Sequence, residues 1–282
     1  MPHVRAGHSG GEAWLAAGLK LASMAIRRVK ITLAYDGGGF HGWQVQPGLP
    51  TIQGTLEAII SGMEGRPVHV AGSGRTDAGV HALRQVAAFS LENPIPLPNL
   101  RRAMNRLLPP AIRVLSAEEV HPDFHPRYDA KAKTYEYRIM RGETCSPFEW
   151  PYVYHYPYPL DEERMRQMAT AFAGEHDFTA YAAADNSDAK GGSKNEADID
   201  ASQKAVGKSK VRTVFASTLR RDGERLIYQV RGSGFLKHMV RNLAGTLIEA
   251  GRGNIADMTA LPGRCGPTVP AKGLFLVSVE YD

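Results

Sequence analysis

The sequence predicts an α+β protein made of two ferredoxin-like βαββαβ halves with antiparallel sheets. Three observations carry that expectation. Residues 27–120 read as strand, helix, strand, strand, helix, strand; residues 132–281 repeat the order; and the hydrophobic period switches between two and about 3.6 along both stretches.

In the first half, RRVKITLAYD (27–36) alternates as a strand with Val29, Ile31 and Leu33 on one face. TIQGTLEAIISGMEG (51–65) carries Leu56, Ile59, Ile60 and Met63 at helical spacing. PVHVAGS (67–73) and RQVAAFSLE (84–92) read as strands, NLRRAMNRLLPP (99–110) as a helix closed by two prolines, and IRVLSAEEV (112–120) as a strand. In the second half, AKTYEYRIM (132–140) is a strand and EERMRQMATAFAG (162–174) a helix. VRTVFASTLRR (211–221) and ERLIYQVRG (224–232) form a hairpin through Asp222-Gly223. FLKHMVRNLAGTLIEAG (235–251) is a long helix and KGLFLVSVEY (272–281) the closing strand.

These elements divide the chain into an N-terminal α+β domain at 27–130 and a C-terminal one at 131–282. Residues 1–26 read as a flexible extension, or their start as lying upstream of a true initiator at Met24. Residues 186–210 mix charges with Gly, Ser and Ala and hold no aromatics, so they read as a mobile insertion.

Composition narrows the class. Hydrophobic residues at 43% and charged residues at 22% suit a folded globular chain, and no apolar run is long enough to cross a bilayer. Thirty-four basic residues against 29 acidic ones leave +5, which is compatible with a polyanionic partner without proving one. Cys145 and Cys265 lack any CxxC spacing, so neither a zinc site nor a disulfide framework is expected, and a reducing cytoplasm fits. His121 and His125 are separated by three residues, but Pro122, Pro126 and the lack of a third ligand argue against a metal.

The candidate chemistry sits in GSGRTDAGVHA (72–82), where one carboxylate, Asp77, lies in a glycine-rich turn. A phosphate cradle would need Lys-Ser/Thr after its last glycine and then a helix. Here Arg-Thr-Asp follows Gly74, a strand comes next, and an acid at the centre would repel phosphate. A carboxylate beside Arg75 instead suits attack on an electron-poor carbon next to a polyanionic chain.

At this point GRTDAGVHA resembles the motif of the tRNA pseudouridine synthase A family, the tRNA pseudouridine(38-40) synthases. So do YDGGGFHGWQVQP (35–47), TIQGTLEAI (51–59), FHPRYDAKAKTYEYRI (124–139), DFTAY (177–181), VRTV (211–214) and GSGFLKHMVRNLAGTLIEAG (232–251). The similarity runs in order through 27–282. It implies the pseudouridine synthase fold and isomerisation of uridine to pseudouridine at positions 38, 39 and 40 of the tRNA anticodon stem-loop. It further implies a homodimer, with no cofactor, no metal, no membrane and no small-molecule cosubstrate.

The resemblance also assigns roles. Asp77 is implied as the catalytic residue, Tyr135 as the aromatic that stacks on the target base, and Arg241 as the partner of Asp77. By alternation alone, Tyr135 and Tyr137 read as ordinary strand residues. Extruding a base costs a few kcal/mol, and stacking returns roughly 1–3 kcal/mol. Once RNA excludes water, desolvation disfavours a charged carboxylate, whereas a cation at ~4 Å contributes about 4 kcal/mol at an effective dielectric near 20. Arg75, flanked by Gly74 and Thr76, is implied to hold the flipped nucleotide. Lys237 shares a helical side with Arg241, a pattern that by itself reads as a solvated basic face. His81 reads equally as an RNA contact or as a structural histidine. Arg101, Arg102 and Arg106 suit either a grip on the RNA backbone or plain solubility. Phe40, Trp43 and Gln44 lie in a loop that borders the site or packs the core. The rival readings are a non-catalytic RNA-binding protein on the same sheets and a synthase for another RNA.

Overall fold

The computed structural model describes residues 26–183 and 209–282. The flexible extension and nearly all of the mobile insertion expected from the sequence lie outside the described residues.

Chain order is β1 (Arg27–Tyr35), α1 (Ile52–Glu64), β2 (Ala71–Gly72), β3 (His81–Leu91), α2 (Leu97–Leu107) and β4 (Ile112–Val120) in the first half. The second half runs β5 (Ala132–Met140), β6 (Tyr154–His155), α3 (Glu162–Ala171), β7 (Gly174–Asp177), β8 (Val211–Asp222), β9 (Arg225–Gly232), α4 (Met239–Gly251) and β10 (Leu274–Glu280). Local chemistry explains the boundaries. Thr51 caps α1 by accepting from the Gly54 N–H at 3.2 Å, and Gly65 closes it in the left-handed region at φ 75°. Asp161 caps α3 through the N–H groups of Glu163 and Arg164. Pro109 and Pro110 follow α2, whose Leu100 and Met104 are buried. Gly223, at φ 58°, turns β8 into β9.

All ten strands join one sheet, in the order β4-β1-β3-β10-β5-β9-β8-β7, with β2 beside β3 and β6 beside β5. One buried core runs through both halves, from Val29, Ile31 and Leu33 on β1 to Leu243 and Leu247 on α4. The halves meet where β10 pairs in parallel with β3, at Phe275↔His81 and Leu276↔Ala82. In turn β10 pairs with β5, Leu276 facing Tyr135. The start of β3, directly after residues 73–80, therefore lies two strands from Tyr135, a separation of roughly 10 Å at ordinary strand spacing.

Four expectations need correction. The strand at 67–73 shrinks to Ala71–Gly72, although Val68 and Val70 stay buried. The strand expected to start at residue 84 starts at His81, because its first residues pair with β10 from the other half. Gly174–Asp177 is a strand that no hydrophobic alternation announces; it is an edge strand on β8. The helix expected from residue 235 begins at Met239, because His238 adopts φ 63°, which breaks helical continuation. Lys237 therefore precedes α4 and shares no helical face with Arg241.

Candidate active site

Residues 73–80 are held on every side while their carboxylate stays free. The Ser73 N–H donates to Val86 O at 2.8 Å and its hydroxyl to Gln85 Oε1 at 2.6 Å. Gln85 Nε2 donates to Gly74 O at 3.0 Å. Thr76 is buried, its hydroxyl 2.9 Å from that of Tyr35, a phenol that burial pushes up to about 12 and so keeps neutral. Across the loop, the Trp43 N–H donates to Thr76 O at 3.0 Å. That approach needs Gly42, which has φ 90° and whose Cβ would stand 2.6 Å from Thr76 O. Among the described residues no hydrogen bond reaches the Asp77 side chain.

A guanidinium and an imidazole face that carboxylate instead. Arg241 Nη1 and His238 Nε2 each lie 3.6 Å from Asp77 Oδ2, at ion-pair range but beyond a hydrogen bond. Arg241 is itself aimed by its Nε–H, which donates to Val269 O at 2.7 Å. Burial lowers the His238 pKa against the opposing pull of Asp77, so the imidazole is neutral at pH 7 and Arg241 carries the permanent charge. The first turn of α4 also brings the positive end of a helix to this spot.

The loop opens into a cleft of about 780 Å³. Gly74, Arg75, Thr76, Asp77, Tyr135, Lys237 and Arg241 all line it. Tyr135 is 8% exposed and meets Phe235 edge-on at 5.2 Å, and its hydroxyl has no hydrogen-bond partner among the described residues. Burial, followed by the charges of Tyr35 and Asp77, raises its pKa, so the phenol keeps its proton. Tyr137 is fully buried, with its hydroxyl on Pro270 O at 2.8 Å. A carboxylate flanked by a guanidinium and an imidazole, in an open cleft that an aromatic ring also lines, can engage a flat, electron-poor ring and its sugar.

The comparisons with known proteins agree with this geometry. The family model for tRNA pseudouridine synthase matches residues 31–129 and 168–282. This chain belongs to that family. Similar proteins include the tRNA pseudouridine synthase A of Solibacter usitatus (strain Ellin6076), 72% identical over 256 residues, which span 91% of this chain and 100% of the relative. Those of Lacticaseibacillus casei (strain BL23) and Geotalea uraniireducens (strain Rf4) are 43% and 41% identical, spanning 89% and 91% of this chain and 98% and 100% of the relatives. The chain is thus an isomerase of the tRNA pseudouridine synthase family.

In this synthase Arg101, Arg102, Arg106 and His81 lie outside the cleft lining. Arg101 Nη1 donates to Leu115 O at 3.0 Å, Arg102 bonds Asn99, and Arg106 is exposed at the end of α2. His81 is 1% exposed, stacks on Phe275 at 4.7 Å and has Nδ1 3.1 Å from Asp36 Oδ1; burial lowers its pKa. Of the loop residues, Trp43 is buried but borders the cleft with Gln44, while Phe40 packs on the core. Among the described residues no group of His, Cys, Asp or Glu is placed to hold a metal, and no helix is long and apolar enough to cross a membrane. Sequence reasoning missed His238, Lys133 and Arg127. His238 stood in a quoted motif three residues before Arg241, a spacing that would itself have set the two side by side on a helix.

Proposed function

We propose that this protein isomerises uridine to pseudouridine at positions 38, 39 and 40 of tRNA anticodon stem-loops, as a cytoplasmic homodimer without cofactor or small-molecule cosubstrate. The observation that carries the reading is the Asp77 carboxylate, free of hydrogen bonds, 3.6 Å from both Arg241 and His238. The reaction breaks the C1′–N1 bond, turns the uracil and joins C5 to C1′; C5 loses a proton and N1 gains one. Three routes are open to such a carboxylate: attack at C1′, attack on the base, or removal of a sugar proton. Each requires oxygens that are not already held by donors, and Asp77 meets that condition. Arg241 keeps the acid charged once RNA displaces water, and Tyr135 offers its face to the extruded base. Arg75, exposed beside Gly74 and Thr76, holds the nucleotide, and Lys237 lines the same cleft. The arginines of α2 act, if on RNA, as a peripheral grip outside the cleft. His81 acts as a structural support behind the loop.

Two ferredoxin-like halves at 27–130 and 131–282 complete the reading. Matching strand orders, β4-β1-β3-β2 and β10-β5-β9-β8, support them. Two unpaired cysteines support a reducing compartment.

The experiment is pseudouridine mapping on tRNA transcripts treated with purified wild type and Asp77→Ala. Wild type is expected to convert uridines at 38–40 without additives, and Asp77→Ala to bind but not convert. Absence of pseudouridine from every anticodon arm treated with wild type overturns the reading.

A further inference from the structure

The cleft holds positive charge that the chemistry at Asp77 does not use. Lys133, on β5 two residues before Tyr135, and Arg127, in the segment before β5, both line it. Arg127 acts electrostatically on Lys133 and on Arg212 of β8, so it stands close enough to repel each of them. The register agrees. Lys133 pairs with Gly232 on β9, and Gly232 pairs with Val214, two residues from Arg212. Gly232, between them, presents no side chain.

None of the three enters an ion pair among the described residues. Lys133 Nζ donates to Ser73 O at 2.6 Å, which leaves two of its N–H groups unused. Its close approach relies on Gly74, whose Cβ would lie 3.0 Å from Nζ. Arg212 Nη1 donates to Ser209 O at 2.8 Å and Val211 O at 2.6 Å, and the Arg127 guanidinium lies 5.9 Å from the ring of Tyr128. Elsewhere the chain neutralises clustered cations with carboxylates: Arg231 is held by Glu280 at 2.6 Å, and Lys30 by Glu118 at 3.0 Å. Arg127 repels both the largely buried Lys133 and the half-buried Arg212, and an anion entering between them removes that repulsion.

We propose that Arg127, Lys133 and Arg212 form a phosphate subsite that grips a backbone phosphodiester of the RNA beside the extruded nucleoside. This rests on the reading of the cleft as an RNA-modifying site. Burial and the charge of Arg127 hold the Lys133 ammonium down to about 8, a shift that a bound phosphate reverses. Because the Lys133 ammonium also ties Ser73, the subsite sets the RNA backbone against the same loop that carries Asp77.

The test is equilibrium binding of a tRNA transcript across a salt series, with wild type, Arg127→Ala, Arg212→Ala and their double variant. Both arginines are at least partly exposed, and thermal melting confirms that each variant folds. Each single change is expected to weaken binding about 3–10-fold near 0.1 M salt and to lower the log–log salt slope by roughly 0.7–0.9. Wild-type affinity and slope in the double variant overturn the subsite. Conversion by wild type is scored separately: its absence overturns the proposed function, while the salt slopes still decide the subsite.

Discussion

Positive charge is handled in opposite ways along the β1–β4 side of the sheet and around the cleft. On the first, Lys30 meets Glu118 at 3.0 Å, Arg27 meets Glu119 at 4.0 Å, and Arg101 spends its guanidinium on a backbone carbonyl. Around the cleft, among the described residues, Arg127, Lys133 and Arg212 pair with no acid, and the Asp77 carboxylate in the lining takes no hydrogen bond. Exposed pairs of the first kind contribute ~0–1 kcal/mol each and serve the surface. Charges of the second kind meet no carboxylate among the described residues, and the partner proposed for them is the RNA backbone. The contrast separates cations that finish the fold from cations that await a polyanion.

Removing the counter-ion of Asp77 is the sharpest way to break the comparison after removing Asp77 itself. Arg241→Ala leaves a carboxylate facing a neutral imidazole, and the rate of uridine conversion at saturating tRNA is expected to fall on the order of 100-fold, equivalent to ~2.7 kcal/mol. Arg241→Lys, which keeps the charge but loses the bond to Val269 O, is expected to recover part of that loss in the same assay. If Arg241→Ala converts at the wild-type rate, the cation is not what keeps Asp77 active.

The next effect is set by pH. Lys133 is charged below about 8 and loses its proton as pH rises through that value, whereas a phosphate-bound ammonium keeps it. Wild-type affinity for tRNA is therefore expected to be level up to about pH 7.5 and to fall roughly fivefold between pH 8 and pH 9. In Lys133→Arg the guanidinium stays protonated, and that fall is expected to vanish. Fluorescence anisotropy with a labelled transcript reads both, and parallel profiles count against a titrating lysine at the phosphate.

The smallest effect belongs to the paired side. Arg101→Ala, Arg102→Ala and Arg106→Ala combined are expected to change tRNA affinity by less than about threefold and stability by under ~1 kcal/mol. A tenfold loss of affinity would extend the RNA footprint across α2 and erase the contrast.

Local pattern carried much of this molecule. Strict alternation announced β1, capping residues and helical spacing announced α1, Asp222-Gly223 announced the hairpin of β8 and β9, and the glycine-rich turn announced Asp77. What stayed hidden was long-range or conformational. The parallel pairing of β3 with β10 fuses the halves into one sheet, and no local period encodes a contact between residues 81 and 275. Gly174–Asp177 is polar and short, so its strand exists only because β8 offers an edge. His238 reads as a helix residue until its φ of 63° turns it onto Asp77. The cation cluster joins Arg127 and Lys133, from one short basic stretch, to Arg212 far along the chain, and each of the three looks ordinary alone.

The most direct measurement compares wild type with Asp77→Asn, which keeps the shape of the side chain and removes its charge, in single-turnover conversion and tRNA binding. A fall in rate of at least about 1,000-fold, with affinity within about threefold of wild type, is the expected result. Conversion by Asp77→Asn within tenfold of the wild-type rate would contradict the assignment of the chemistry to this carboxylate.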